Sequence, residues 1–146
     1  MKRKRILGLA LAAVMALGLA ACSSSSSSGE SSGGDATGEL PTVGVLIYKY
    51  DDTYISTVRN AIETALEGKA EIIMQDGKND QATQNDQLDV MIEKGVDVLC
   101  VNMVDAKAAQ GVVDKAKAAG IPTIFFNREP DTEVIKSYDK AIFIGT

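Results

Sequence analysis

Two adjacent carboxylates, Asp51 and Asp52, sit among three aromatic rings, Tyr48, Tyr50 and Tyr54, directly after the apolar run Val43-Gly44-Val45-Leu46-Ile47. Ionised carboxylates accept hydrogen bonds from hydroxyl groups, and a flat ring covers an apolar C–H face. A saccharide presents both kinds of surface. Two further apolar runs end in polar groups: Asn102 and Asp105 follow one, and Asn127, Arg128 and Glu129 follow the other. Each residue also has a plainer use. One of Asp51 and Asp52 is expected to cap the helix that follows, because an Asp at that position accepts the orphan N–H groups of the first turn. Asp105 reads as a cap before it reads as a ligand, and Arg128 and Glu129 can pair in solvent. The amide-rich stretch Lys78–Gln87 reads as the polar face and start of a helix.

Other chemistries lose their residues or motifs. Histidine is absent, which removes the usual general base, metal ligand and triad member. Neither GxGxxG nor GxxxxGK follows the first apolar run, so dinucleotide and NTP binding lack their motif. No metal-ligand cluster or EF-hand loop is present in the sequence. Cys100, inside Val98–Val101, reads as a small core residue.

The elements that must position these groups alternate regularly. Thr42–Tyr48, Glu71–Gln75, Asp97–Asn102, Pro122–Asn127 and Ala141–Gly145 read as strands. Between them run amphipathic stripes at helical spacing: Ile55, Val58, Ile62, Ala65 and Leu66; then Leu88, Met91 and Ile92 within Gln81–Lys94; then Ala109, Val112, Val113, Ala116 and Ala119. Gly68, Gly95 and Gly120 close the three helices, and Asp105 is the candidate cap of the third. Near-continuous apolar strands alternating with such helices predict an α/β fold. The expected architecture is a doubly wound, mostly parallel sheet in a three-layer αβα sandwich, with the polar groups at the carboxyl edge where such sheets bind ligands.

Ahead of this lies a different composition. Lys2-Arg3-Lys4-Arg5 is a positive n-region, Ile6–Ala20 an apolar h-region, and Leu19-Ala20-Ala21-Cys22 places small residues before a cysteine. This is the layout of a secretory signal. The apolar run falls short of the ~20 residues of a spanning helix, which disfavours a transmembrane anchor. The segment resembles a bacterial lipoprotein signal, and that resemblance makes Cys22 a lipidated N-terminus carrying fatty acyl chains such as palmitate. Residues 23–40, rich in Ser and Gly, form an expected tether, and residues 41–146 the folded lobe. The formal charge is −5; losing the four basic residues of the leader takes it to −9, which disfavours nucleic acid as a partner.

The quoted residues together resemble the galactose/glucose-binding group of the type I periplasmic-binding-protein family. The matching stretches are Ile47-Tyr48-Lys49-Tyr50-Asp51-Asp52, Asn79-Asp80-Gln81 with Gln84-Asn85-Asp86-Gln87, and Asn102-Met103-Val104-Asp105. Phe125-Phe126-Asn127-Arg128-Glu129-Pro130 and Ser137-Tyr138-Asp139-Lys140-Ala141 complete the set. The resemblance implies two lobes closing on a sugar, with this chain similar to an amino-terminal lobe that stops at Thr146, where the family first crosses to its second lobe.

By the same resemblance, Asp52 accepts from a sugar hydroxyl and Tyr54 stands where the family commonly has a stacking Phe. Asn127 bonds a hydroxyl through its amide, and Arg128 replaces the usual Lys as a cationic donor. The family's calcium site and opposite stacking ring belong to the second lobe, so the resemblance implies no cofactor or metal here. The implied function is an extracytoplasmic, lipid-anchored, monomeric lipoprotein that hands galactose, glucose or a methyl galactoside to an ABC permease. The alternative is a sensor presenting the same sugar to a chemoreceptor or histidine-kinase receptor. An enzyme using Asp52 and Glu129 as the paired carboxylates of a glycoside hydrolase is disfavoured by the resemblance. With Asp52 reserved for ligand, Asp52→Ala is expected to leave unliganded stability nearly unchanged.

Overall fold

The computed structural model describes residues 39–145. The expected leader, Cys22 and most of the tether lie outside the described residues. Five parallel strands, β1 (Thr42–Ile47), β2 (Glu71–Asp76), β3 (Val98–Val101), β4 (Thr123–Phe126) and β5 (Ala141–Ile144), form one sheet in the order β2-β1-β3-β4-β5. Helices α1 (Thr53–Leu66), α2 (Gln81–Lys94), α3 (Ala109–Ala119) and α4 (Thr132–Lys136) connect them, and one 3₁₀ turn, Ala106–Ala108, leads into α3.

Alternation along β1 divides the core in two. Val43, Val45 and Ile47 pack with Ile55, Ile62 and Leu66 of α1, while Leu46 joins the cluster made by α2, α3 and α4. That larger cluster contains Leu88, Met91, Leu99, Val101, Val112, Val113 and Phe125, all essentially inaccessible to water. The sheet is therefore doubly wound, with its direction reversing between β1 and β3. Loops leave those two strands toward opposite faces, which opens a crevice at their carboxyl ends.

The two faces are unequally covered. On the α1 side only Ile55 of the predicted stripe is buried. Val58, Ile62 and Leu66 are half-buried, and Ala65 is exposed. Ile142 and Ile144 of β5 are 49% and 58% exposed. Ala119, predicted to face the sheet, is exposed as well. The helix ends follow their local chemistry: Gly95 and Gly120 adopt left-handed φ of 70° and 74° and donate back to the last-turn carbonyls, the geometry that an L side chain resists. Asp105 caps the 3₁₀ turn instead of α3, accepting from the Lys107 N–H. Helix α4 is additional to the sequence reading. Its five residues are too few to show a period, and only Asp131, which caps it through the Glu133 N–H, marks its start.

The amide-rich start of α2 does more than offer a polar face. Gln84 is 1% exposed; its Nε2 donates to the Asn102 carbonyl (2.9 Å) and its Oε1 accepts from the Val104 N–H (3.0 Å). One turn earlier Gln81 Oε1 accepts from the Asp105 N–H (2.8 Å), and one turn later Gln87 Nε2 donates to the Asp76 carbonyl (2.7 Å). Residues three apart share a helix face, so one stripe of glutamines pins the loops after β2 and β3. Replacing Gln84 by Ala orphans two backbone groups, one buried and one partly so, each costing about 1–3 kcal/mol. Gln84→Ala is therefore expected to lower unfolding free energy by about 2 kcal/mol or more in urea titration, whereas Gln110→Ala, at an exposed site, changes it little.

Candidate functional site

The loop after β1 is held by backbone groups of the loop after β2. Gly77 N–H donates to the Ile47 carbonyl (2.7 Å) and Asn79 N–H to the Tyr48 carbonyl (2.7 Å). A Cβ on Gly77 would stand 2.8 Å from the Ile47 oxygen, so the close approach requires glycine. Asp76 Oδ1 accepts from the Tyr50 N–H (3.1 Å) and the Lys78 N–H (2.9 Å). Across the switch point, the fully buried Asn102 places Oδ1 3.4 Å from the Tyr48 nitrogen and Nδ2 3.4 Å from the Phe126 carbonyl. These are long hydrogen bonds, but they join the ends of β1, β3 and β4 through one side chain.

On this frame the three rings of the first loop have three fates. Tyr48 is buried, at 6% exposure. Tyr50 lies under the Arg59 guanidinium, 3.6 Å from the ring centroid. Tyr54, in the first turn of α1, is 65% exposed. Tyr54 lines a depression of about 320 Å³ together with Val58, Phe126, Asn127, Ile144 and Gly145. Asn127 adopts φ of 64°, a left-handed conformation that Asn tolerates better than most residues.

Asp52 is the N-cap of α1. Its Oδ1 accepts from the Ile55 N–H (2.8 Å) and its Oδ2 from the Tyr48 hydroxyl (2.7 Å). Those two donors, the Ile55 amide first, hold its carboxyl below the ordinary carboxylate value. The same bond to Asp52, followed by burial, raises the Tyr48 hydroxyl, so Tyr48 stays a proton donor at neutral pH. The expectation that Asp52 is free of structural duty is corrected: the capping residue and the candidate ligand residue are one. Its neighbour Asp51 points to solvent and pairs with Lys49 at 3.3 Å, side chain 83% exposed.

Arg128 does not pair with Glu129 in the described structure. Its guanidinium carbon lies 3.8 Å from the centre of the Tyr48 ring, and Nη1 donates to the carbonyls of Val104 (2.6 Å) and Met103 (3.3 Å). Glu129 instead lines a separate depression with Ala106, Lys107, Pro130, Asp131 and Thr132. The structure thus gathers Asp52 and Arg128 on Tyr48, and Tyr54 and Asn127 on one depression, all at the carboxyl edge of the sheet. Glu129 and Asp52 are not brought to a common partner by any of these contacts. The sequence places Asn102 among the strand-end polar groups and Gln84 in the amide-rich start of α2, without their roles as internal ties. Asn102 carried a signal, as a polar residue directly after a buried strand; the burial of Gln84 had none.

Cys100 is half-buried on the α1 face, where burial raises its thiol to about 11, leaving little reactive thiolate. Among the described residues no group of three or more His, Cys, Asp or Glu is placed to hold a metal, and no helix is long and apolar enough to cross a membrane.

The periplasmic binding protein domain family matches residues 43–146. The D-galactose/methyl-galactoside binding periplasmic protein MglB of Haemophilus influenzae is 43% identical over 106 residues, covering 71% of this chain and 32% of that protein. An ABC transporter solute binding protein from Bacillus halodurans with bound myo-inositol is 32% identical, with a TM-score of 0.59, over 64% of this chain and 33% of the other. A solute binding protein from Clostridium phytofermentans with bound β-D-glucose is 26% identical, with a TM-score of 0.57, over 62% of this chain and 29% of the other. The chain spans about a third of the length of curated relatives it matches.

The capping role of Asp52 sets a stability test. Asp52→Ala should lower the melting temperature measurably, while Asp52→Asn, which still caps, should change it little. Because the folded-state pKa of Asp52 lies below its ordinary value of 3.8, its stabilisation is present above that value and is lost as pH falls through the folded pKa. Thermal melts between pH 6 and pH 2.5 should show a shallower acid loss in Asp52→Asn than in the unsubstituted chain.

Proposed function

Because the chain belongs to the periplasmic binding protein domain family, we propose that it is an extracytoplasmic solute-binding protein that captures a hexose for an ABC importer. The ligand is galactose, glucose or a methyl galactoside. The observation that carries this reading is the convergence, at the carboxyl edge of a doubly wound sheet, of an ionised acid, an amide, a guanidinium and an exposed ring from two different chain segments. This wall of the site binds and does no covalent chemistry.

Three of these groups match distinct parts of a saccharide. A carboxylate has about four lone-pair sites, and Asp52 uses one on each oxygen internally, so each oxygen retains capacity for a sugar hydroxyl. Its depressed pKa keeps it an acceptor, and hydrogen bonds to an ionised group are the stronger kind. Asn127 donates and accepts through one amide, which fits a hydroxyl that does both. Tyr54 offers its ring face to the apolar C–H side of a pyranose. Epimers are rejected because a misplaced hydroxyl leaves one of these groups desolvated and unpaired.

The chain spans only part of its relatives, and we infer that this edge is one wall of a two-lobed site whose closure a permease reads. Two-dimensional NMR of the chain detects binding even at millimolar affinity. Titration with galactose or glucose should shift the amides of residues 50–55 and 127–128 and the Asn127 side-chain amide. Asp52→Asn should weaken that binding by roughly tenfold or more. Shifts confined to other surfaces, or none at high sugar, would overturn the reading.

Lipid attachment at Cys22 belongs to the same proposal and has its own test. Expressed with its leader in a bacterium, the protein should partition into membranes, and mass spectrometry should find a diacylglyceryl adduct on Cys22. Cys22→Ala should release it to the soluble fraction; unmodified Cys22 in the membrane-extracted protein would remove the anchor.

A further inference from the structure

The four candidate ligand residues come from two segments, the β1–α1 junction with the first turn of α1 and the loop after β4, that share no direct side-chain hydrogen bond among the described residues. What joins the acid of one loop to the cation of the other is Tyr48. Its ring is buried at the β1/β3 switch point, with the side chain 6% exposed. Its hydroxyl, 2.7 Å from Asp52 Oδ2, restrains the carboxylate from one side while the Ile55 amide holds Oδ1 from the other. Its face carries the Arg128 guanidinium at 3.8 Å. The Val104 and Met103 carbonyls fix Nη1 of that guanidinium, so the plane of Arg128 is set by Tyr48 on one side and the loop after β3 on the other. Among the described residues Nε and Nη2 make no hydrogen bond. The Tyr48 backbone is fastened too: its carbonyl accepts from Asn79 and its N–H faces Asn102.

Resting on the saccharide-binding reading above, we propose that Tyr48 is the positioning residue of the site. Its hydroxyl sets the acceptor geometry of Asp52 and its ring sets the donor geometry of Arg128, so one buried side chain fixes the spacing of an anionic and a cationic ligand group. A sugar hydroxyl pattern is read as a distance between acceptor and donor. The physical requirement is rigidity: a carboxylate free to rotate and a guanidinium free to sweep satisfy many epimers about equally, and small displacements of positioned groups carry large costs. Arg serves this arrangement better than Lys, because a planar guanidinium stacks on a ring and retains donors at its edge.

The two functions of Tyr48 separate by substitution. Tyr48→Phe keeps the ring under Arg128 and removes the hydroxyl; Tyr48→Leu removes both. Galactose and glucose are titrated into the unsubstituted chain and both variants by NMR, alongside thermal melts and a pH titration of the Asp52 carboxyl carbon. Tyr48→Phe should bind the preferred sugar roughly tenfold more weakly, with a smaller ratio between the two epimers. Its Asp52 titration should move up toward the ordinary carboxyl range while the Arg128 resonances stay in place. Tyr48→Leu should lose more affinity and release Arg128 as well. A residue that only packs would lower the melting temperature and leave the Asp52 titration and the epimer ratio alone. Should the unsubstituted chain bind sugar and Tyr48→Phe bind it equally, with the same epimer ratio, the positioning role is overturned and the saccharide reading stands. Should the unsubstituted chain bind no sugar, both are overturned. If Tyr48→Leu fails to fold, the Phe variant alone decides, since its ring fills the same space.

Discussion

At the point where a parallel sheet reverses its winding, the strand ends splay apart and their backbone groups need partners that the ladder no longer supplies. In this protein two amides meet that need. Asn102, fully buried at the end of β3, faces the ends of β1 and β4 with opposite ends of its side chain, and Gln84 closes on the Asn102 carbonyl and the Val104 amide. A buried polar group without a partner costs more than a formed hydrogen bond gains. Each amide is thus held in one orientation by the penalty for any other. The geometry of the ligand edge depends on that constraint, because the loops bearing Asp52 and Arg128 both start from strand ends that it ties together.

The site built on this frame reuses groups that the fold already needs. Asp52 caps α1 and remains an acceptor; Arg128 fastens the loop after β3 and remains cationic; Tyr48 fills the core and touches both. Such sharing makes the edge stiff without additional chain. It also couples stability to the proposed binding, since a substitution at Asp52 removes a helix cap and a candidate ligand group together. The exposed ring of Tyr54 and the left-handed Asn127 stand apart from this network and share one depression.

Membership of the periplasmic binding protein domain family agrees with the βα alternation and with the strand order. It also gives the uneven cover of the sheet a context. Three helices cover one face, while on the other α1 serves the β1 and β2 side and leaves Ile142 and Ile144 of β5 in contact with water. The depression of Tyr54 and Asn127 reaches Ile144 and Gly145 on the less covered side, whereas Asp52 and Arg128 lie above the well-packed part of the sheet, where β1, β3 and β4 meet. There the backbone is held by buried contacts on both faces.

Much of this was legible in the residues themselves. Helix α2 begins at Gln81 and ends at Lys94 as its spacing requires, because Asp80 caps one end and Gly95 turns left-handed at the other; caps and terminators are local chemistry that acts within a few residues. The five strands and the polar character of their carboxyl ends follow from apolar runs bounded by turn residues. Whether a polar side chain faces solvent, a neighbouring loop or a ligand is decided instead by what packs beside it. Gln84 and Gln110 are alike as letters, yet one is sealed under the switch point and the other is exposed. Tyr48, Tyr50 and Tyr54 look equivalent in sequence and become an internal tie, a ring under Arg59 and an open platform, because burial is a property of the assembled sheet and helices. Composition and spacing determined which elements form and at which edge chemistry is available; only tertiary packing determined which groups are already paired there and which keep capacity for a ligand.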